Sequence, residues 1–125
     1  MPYETETRLI DGRVLRVYKN IEPTLRDFWI KYSKLHKDKT CIVYEDQRWS
    51  FDEVLQKTLE LATMFQDLYG VKKGDRVAIC ARNFPEYVYI FWACHLLGAI
   101  TVLVNAYVDS CRISMIFPEK LFILM

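Results

Sequence analysis

The stretch Arg76-Val-Ala-Ile-Cys-Ala-Arg-Asn-Phe-Pro-Glu-Tyr-Val-Tyr-Ile-Phe-Trp-Ala-Cys-His-Leu-Leu-Gly-Ala-Ile-Thr-Val-Leu-Val104 decides how this chain folds. After the opening arginine, residues 77–81 are uniformly apolar, which predicts a strand over 76–81 buried on both faces. Asn83 and Glu86 have the pattern of a helix cap, and Pro85 suits a first turn. Residues 87–97 are apolar on nearly every side, so the helix they predict is buried. Gly98 closes it. Residues 100–104 are short and rich in β-branched side chains, and Asn105 ends a second strand. Strand, helix and strand in this order form a βαβ unit, with parallel strands and a right-handed crossover.

A membrane span competes with this reading. Residues 87–104 hold no Asp, Glu, Lys or Arg, and 18 residues is the threshold for a spanning helix. Against the span, Gly98 divides the run into a helical part and a β-branched part. His95 would lie near mid-bilayer, and the strand at 76–81 needs the partner that 100–104 supplies. The α/β reading is preferred. The alternative is a non-catalytic module that uses 87–104 to associate with membrane or protein.

Upstream, Ser50-Phe-Asp-Glu53 has the form of a capping box. Phe51, Val54, Leu55, Thr58, Leu59, Ala62, Phe65 and Leu68 follow on one helical face, and Gly70 ends the helix. Residues 40–44 read as a short strand, and Glu45-Asp46-Gln47 as a polar turn. Before them, Thr24 caps a helix that carries Leu25, Phe28, Trp29, Tyr32 and Leu35 at helical spacing. Near the start, Asp11-Gly12 between β-branched flanks predicts a small hairpin packed on something else.

The chain has 125 residues, with 52% apolar and 26% charged side chains, and this composition excludes an intrinsically disordered protein. A net charge of +1 gives no basic footprint for nucleic acid, so no nucleic-acid partner is expected. The charges are unevenly placed: residues 83–125 carry only Glu86, Asp109, Arg112, Glu119 and Lys120. Cys41, Cys80, Cys94 and Cys111 lack metal-ligand spacing and read as small buried hydrophobes in a reducing compartment. The acidic, polar N-terminus has no secretory signal pattern, so an intracellular chain is expected.

Residues 24–105 resemble the beginning of an adenylate-forming enzyme of the AMP-binding acyl-CoA synthetase group. The resemblance rests on the strand ending at Tyr44, on Arg48-Trp49-Ser50-Phe51, and on Gly70-Val-Lys-Lys-Gly74-Asp-Arg-Val-Ala-Ile79. It closes with the Asn83 turn and with Leu97-Gly98-Ala99-Ile100 running into Val104-Asn105. Arg16-Val-Tyr-Lys-Asn20 is similar to the opening of fungal-type members. The resemblance implies residues 1–22 as an N-terminal ribbon or extension, 23–105 as the incomplete first part of an AMP-binding domain, and 106–125 as a divergent tail. The implied fold is α/β, a partial parallel sheet with crossover helices from the large domain of such an enzyme.

Members of this group activate a carboxylic acid with ATP and Mg²⁺ and pass the acyl group to coenzyme A, so activation of a fatty acid or another carboxylic acid is the implied chemistry. The triphosphate needs a Ser/Thr/Gly-rich loop with lysine, the ribose a carboxylate, and the developing charge a further lysine. No such loop occurs here, and the four glycines are isolated. The chain is therefore expected to lack the nucleotide site and to be inactive alone. Its end inside the apolar run 121–125 suggests a truncated reading frame or gene model, with a genuine short isoform as the alternative.

The remaining chemical candidates have plainer readings. His95 lies in an apolar helix, and His36 lies among Lys34, Lys37 and Lys39. Glu45-Asp46 suits a turn and Asp52-Glu53 a helix start. Tyr87, Tyr89, Phe91 and Trp92 could line an acyl pocket, but core packing explains them better. No catalytic, cofactor-binding or metal-binding residue is nominated. Strands 76–81 and 100–104 read as central strands, so an open sheet edge is expected to favour self-association or chaperone binding.

Overall fold

The computed structural model describes residues 4–104 and 121–124. At its centre, β5 (Arg76–Ile79) and β6 (Ile100–Leu103) pair in parallel, with Arg76 opposite Ile100 and Ile79 opposite Leu103. Helix α3 (Pro85–Leu97) makes the crossover between them. The βαβ unit is thus present as expected. The other edge of β5 pairs in parallel with β7 (Leu121–Leu124), giving the strand order β6-β5-β7. The rest of the tail expected over 106–125 lies outside the described residues.

The core forms where α3, α2 (Phe51–Asp67) and α1 (Leu25–Leu35) pack on one another, with α3 also against β5 and Val77 joining the cluster. Val54, Leu55, Thr58, Ala62 and Phe65 of α2 are buried, while Leu59 and Leu68, read as part of the same stripe, are exposed. The polar backbone ends are satisfied as the sequence implies. Ser50 Oγ accepts from the Glu53 amide at 3.2 Å, and the Glu53 carboxylate accepts from the Ser50 amide at 2.7 Å. Thr24 Oγ1 accepts from the Asp27 amide at 3.1 Å. Gly98 adopts φ 71, so the Ala99 amide reaches the Cys94 carbonyl at 2.9 Å and closes α3 in a Schellman motif.

Two antiparallel hairpins precede this unit. β1 (Thr5–Ile10) and β2 (Arg13–Tyr18) join through Asp11 and Gly12, whose φ values of 49 and 75 fit the tight turn expected there. β3 (Thr40–Tyr44) pairs with β4 (Gln47–Ser50), and Glu45 takes φ 51 at the turn. β4 escapes a hydrophobic-pattern reading because Gln47, Arg48 and Ser50 leave only Trp49 as an apolar signal.

Further expectations need correction. Cys41 and Cys80 are half-buried rather than buried, and Cys94 alone of the described cysteines is fully buried. The residue that caps α3 is Phe84, which offers no side-chain acceptor, and Asn83 stands one position outside. α3 is not buried all round: Phe91, Trp92 and His95 are half-exposed, because α1 and α2 cover only part of its surface. β6 is not buried on both faces: Ile100 and Leu103 are exposed, whereas Val77, Ala78 and Ile79 of β5 are fully buried. Flanking strands on both sides shield β5, while the outer edge of β6 has no partner strand among the described residues.

Candidate functional site

Beyond the carboxyl end of β5 the chain turns through Asn83 and Phe84 into α3. A surface cleft of about 200 Å³ opens there, between residues 42–44 of β3 and the first turn of α3. In open α/β sheets this end of the strands is where ligand crevices form. The rings of Tyr44 and Phe84 meet edge-on, with centroids 5.8 Å apart, and Tyr87 and Val88 complete an apolar wall. Asn83 is the polar residue on the rim. Such a cleft can hold an apolar group, but it brings no acid–base pair together.

A second, wider groove lies at the other end of the helices, lined by Arg26, Gln66, Lys72 and Lys73 among others. One Arg26 guanidinium nitrogen donates to the Leu96 carbonyl at 2.6 Å. The Asp75 carboxylate accepts from the Lys72 amide at 2.9 Å and closes the turn. Arg26 thus answers an exposed carbonyl at the carboxyl end of α3, which is a structural role.

The candidates read from the sequence are spread over the surface rather than gathered. Glu45 and Asp46 form the β3–β4 turn, and Asp52 and Glu53 lie in the first turn of α2. The Ser50 amide and hydroxyl hold the Glu53 carboxyl below its usual range. His36 faces the ring of Phe51. His95 packs edge-on to Phe91 at 4.4 Å and lies near Trp92, and burial lowers its pKa.

Among the four aromatics considered for an acyl pocket, Tyr87 alone lines the cleft. Trp92 stacks on Trp29 at 4.4 Å and 6°. Tyr89 is buried against Trp49, with the Lys57 ammonium over its ring, and burial raises its hydroxyl pKa. Burial pushes the Cys94 thiol up to about 12 and also raises Cys41, so neither is a ready thiolate. Tyr44 and Phe84 carried no local signal of a cleft, because β3 and α3 meet only through the tertiary fold.

Among the described residues, no group of three or more His, Cys, Asp or Glu side chains could hold a metal ion. Among the same residues, no helix is long and apolar enough to cross a membrane.

Parallel strands joined by a helix, with a crevice beyond their carboxyl ends, define an open α/β domain. The AMP-binding enzyme family matches residues 31–119, and the chain belongs to that family. It is 36% identical over 76 residues to a 2-succinylbenzoate–CoA ligase of Bacillus velezensis, covering 61% of this chain and 16% of that protein. It is 31% identical over 87 residues to a crotonobetaine/carnitine–CoA ligase of Salmonella paratyphi A, covering 66% and 17%.

Among solved structures, the O-succinylbenzoate coenzyme A synthetase of Bacillus subtilis in complex with AMP superposes with a TM-score of 0.65 at 30% identity, over 70% of this chain and 23% of that one. The N-terminal subdomain of Klebsiella oxytoca NpsA superposes with a TM-score of 0.68 at 24% identity, over 73% and 24%, a likeness of fold. The chain thus spans about a sixth of the length of the curated relatives it matches.

Proposed function

We propose that this chain supplies the opening scaffold of a carboxylate–CoA ligase and has no adenylating activity alone. The family match across residues 31–119 carries the reading. Both named relatives join a carboxylic acid to coenzyme A, and the β5–α3–β6 unit lies within the matched region. The scaffold holds no triphosphate loop, so acid activation depends on residues that other parts of such an enzyme provide. Arg16-Val-Tyr-Lys-Asn20 supports the fungal-type subgroup, with a fatty acid as the substrate of the complete enzyme.

The purified chain is expected to show no acid-dependent exchange of pyrophosphate into ATP above a heat-killed control. Exchange above that control would overturn the reading of inactivity. The scaffold reading has its own test: residues 31–104 are grafted in place of the aligned segment of the Bacillus subtilis synthetase. Retained exchange supports it, and a folded chimera without exchange refutes it. For the substrate, transcript sequencing beyond the Met125 codon comes first, followed by assay of any longer product. Preference for a fatty acid over 2-succinylbenzoate is the expected result.

A further inference from the structure

The wider groove, at the opposite end of β5 from the Tyr44–Phe84 cleft, holds more cations than the fold uses. Its lining residues 66–73 precede the strand, whereas residues 83–88 of the cleft follow it. Its volume, about 660 Å³, lies within the range of small-molecule sites. Arg26, Lys72 and Lys73 line it against one carboxylate, Asp67. The groove therefore has a surplus of two positive charges, in a chain whose net charge is only +1.

The carboxyl ends of α2 and α3 adjoin the groove, and cations in such places commonly serve the last carbonyls of a helix. Here those carbonyls are already served. Phe65 and Gln66 accept from the Val71 and Gly70 amides at 3.0 and 3.1 Å, and Cys94 accepts from the Ala99 amide at 2.9 Å. Arg26 takes the Leu96 carbonyl with one nitrogen, which anchors the guanidinium and leaves its other N–H groups uncommitted among the described residues. The ammonium groups of Lys72 and Lys73 make no hydrogen bond or ion pair with any described residue. Yet the turn that carries them is fixed. The Asp75 amide donates to the Lys72 carbonyl at 3.0 Å, the Asp75 carboxylate accepts from the Lys72 amide at 2.9 Å, and the Gly74 amide donates to the Gly98 carbonyl at 3.0 Å. The Lys73 stem lies against Gly98, which has no Cβ to displace it.

We propose that Arg26, Lys72 and Lys73 form a binding site for a small soluble anion of the polyphosphate class, carrying two or more negative charges. Three cations around one groove suit a charge spread over several oxygens. A guanidinium fork grips phosphate oxygens in pairs, and ammonium groups add point charges. Gln66, also on the lining, supplies a neutral donor. An anchored guanidinium and a fixed turn lower the ordering cost of binding. The surplus is confined to a groove of a nearly neutral chain, whereas a nucleic acid or a membrane calls for a broad basic face. None of this depends on the ligase reading.

The test is calorimetric titration of the 125-residue chain with sodium pyrophosphate, with circular dichroism to confirm that each variant folds. One saturable site is expected, weakening as salt rises from about 50 to about 200 mM because the cations are exposed. Lys72→Gln/Lys73→Gln is expected to weaken binding by about tenfold or more, and Asp67→Asn, which removes the opposing charge, to tighten it. Lys34→Gln/Lys37→Gln, the same loss of charge away from the groove, is expected to leave it unchanged. No saturable binding up to about 1 mM pyrophosphate overturns the proposal. So does equal weakening by the two double variants, which would reduce the effect to overall charge, or weakening by Asp67→Asn. Capture of anionic phospholipid vesicles through Lys72 and Lys73, without pyrophosphate binding, would assign the groove to a lipid headgroup and equally overturn it.

Discussion

His95 and Glu53 respond to acid for opposite physical reasons. Burial among Phe91 and Trp92 disfavours the imidazolium of His95 and lowers its pKa from the ordinary 6.5. The unfolded chain then binds the proton more readily, so stability falls as pH drops from about 6.5 through the lower folded value. Glu53 is held below its ordinary 4.5 by the Ser50 amide and hydroxyl, so its contribution is present above that value and disappears as pH falls through the folded one. Denaturant melts of the native chain from pH 8 to pH 3 are expected to show two successive losses. His95→Phe flattens the upper one, and Glu53→Gln flattens the lower. A His95→Phe curve parallel to the native curve between pH 7 and pH 5 contradicts this account. Cys94 gives a second residue-scale prediction. Fully buried, with its thiol pushed up to about 12, it is expected to resist a thiol reagent at pH 8 until denaturant is added, as mass spectrometry of the labelled peptides would show.

Each helix end rests on a few backbone groups, and the starts of α1 and α2 and the end of α3 were legible, whereas the start of α3 was not, because Phe84 caps it without a side-chain acceptor. Ser50→Ala removes the acceptor for the Glu53 amide and the partner of its carboxylate, at a cost of about 0.5–2 kcal/mol in chemical denaturation. Gly98→Ala forces a side chain into φ 71 and brings its Cβ within 3.0 Å of Lys73 Cγ, so about 1–2 kcal/mol is expected. Gly12→Asn, at φ 75 in an open turn, is expected to cost under about 0.5 kcal/mol. Equal costs at the two glycines would refute the conformational argument. The capping box, the glycine stop and the Asp11-Gly12 turn are local chemistry, so a few adjacent residues reveal them. β4 and the Tyr44–Phe84 cleft are not local. β4 owes its existence to pairing with β3, and the cleft to the meeting of β3 and α3. The exposure of Ile100 and Leu103 was hidden too, because a β-branched run reads alike in a central strand and in an edge strand.

At the scale of the molecule, the sheet is shielded unevenly. β5 has a partner on each side and loses all water from Val77, Ala78 and Ile79. β6 has one partner, and Ile100 and Leu103 remain 51% and 56% exposed beside an edge with no partner strand among the described residues. An apolar strand edge of this kind is a template for irregular pairing between chains, and lysine on the edge is a common remedy. Ile100→Lys/Leu103→Lys adds charge where the native side chains already meet water, so the melting midpoint is expected to shift little. The soluble fraction after incubation at 37 °C is expected to rise. Val77→Ala, at the centre, removes buried methyl groups and is expected to lower stability by about 1–3 kcal/mol. The two strands thus answer differently to substitution, β5 in the melt and β6 in sedimentation. If the lysines leave the soluble fraction unchanged, the exposed edge of β6 does not govern association of this chain.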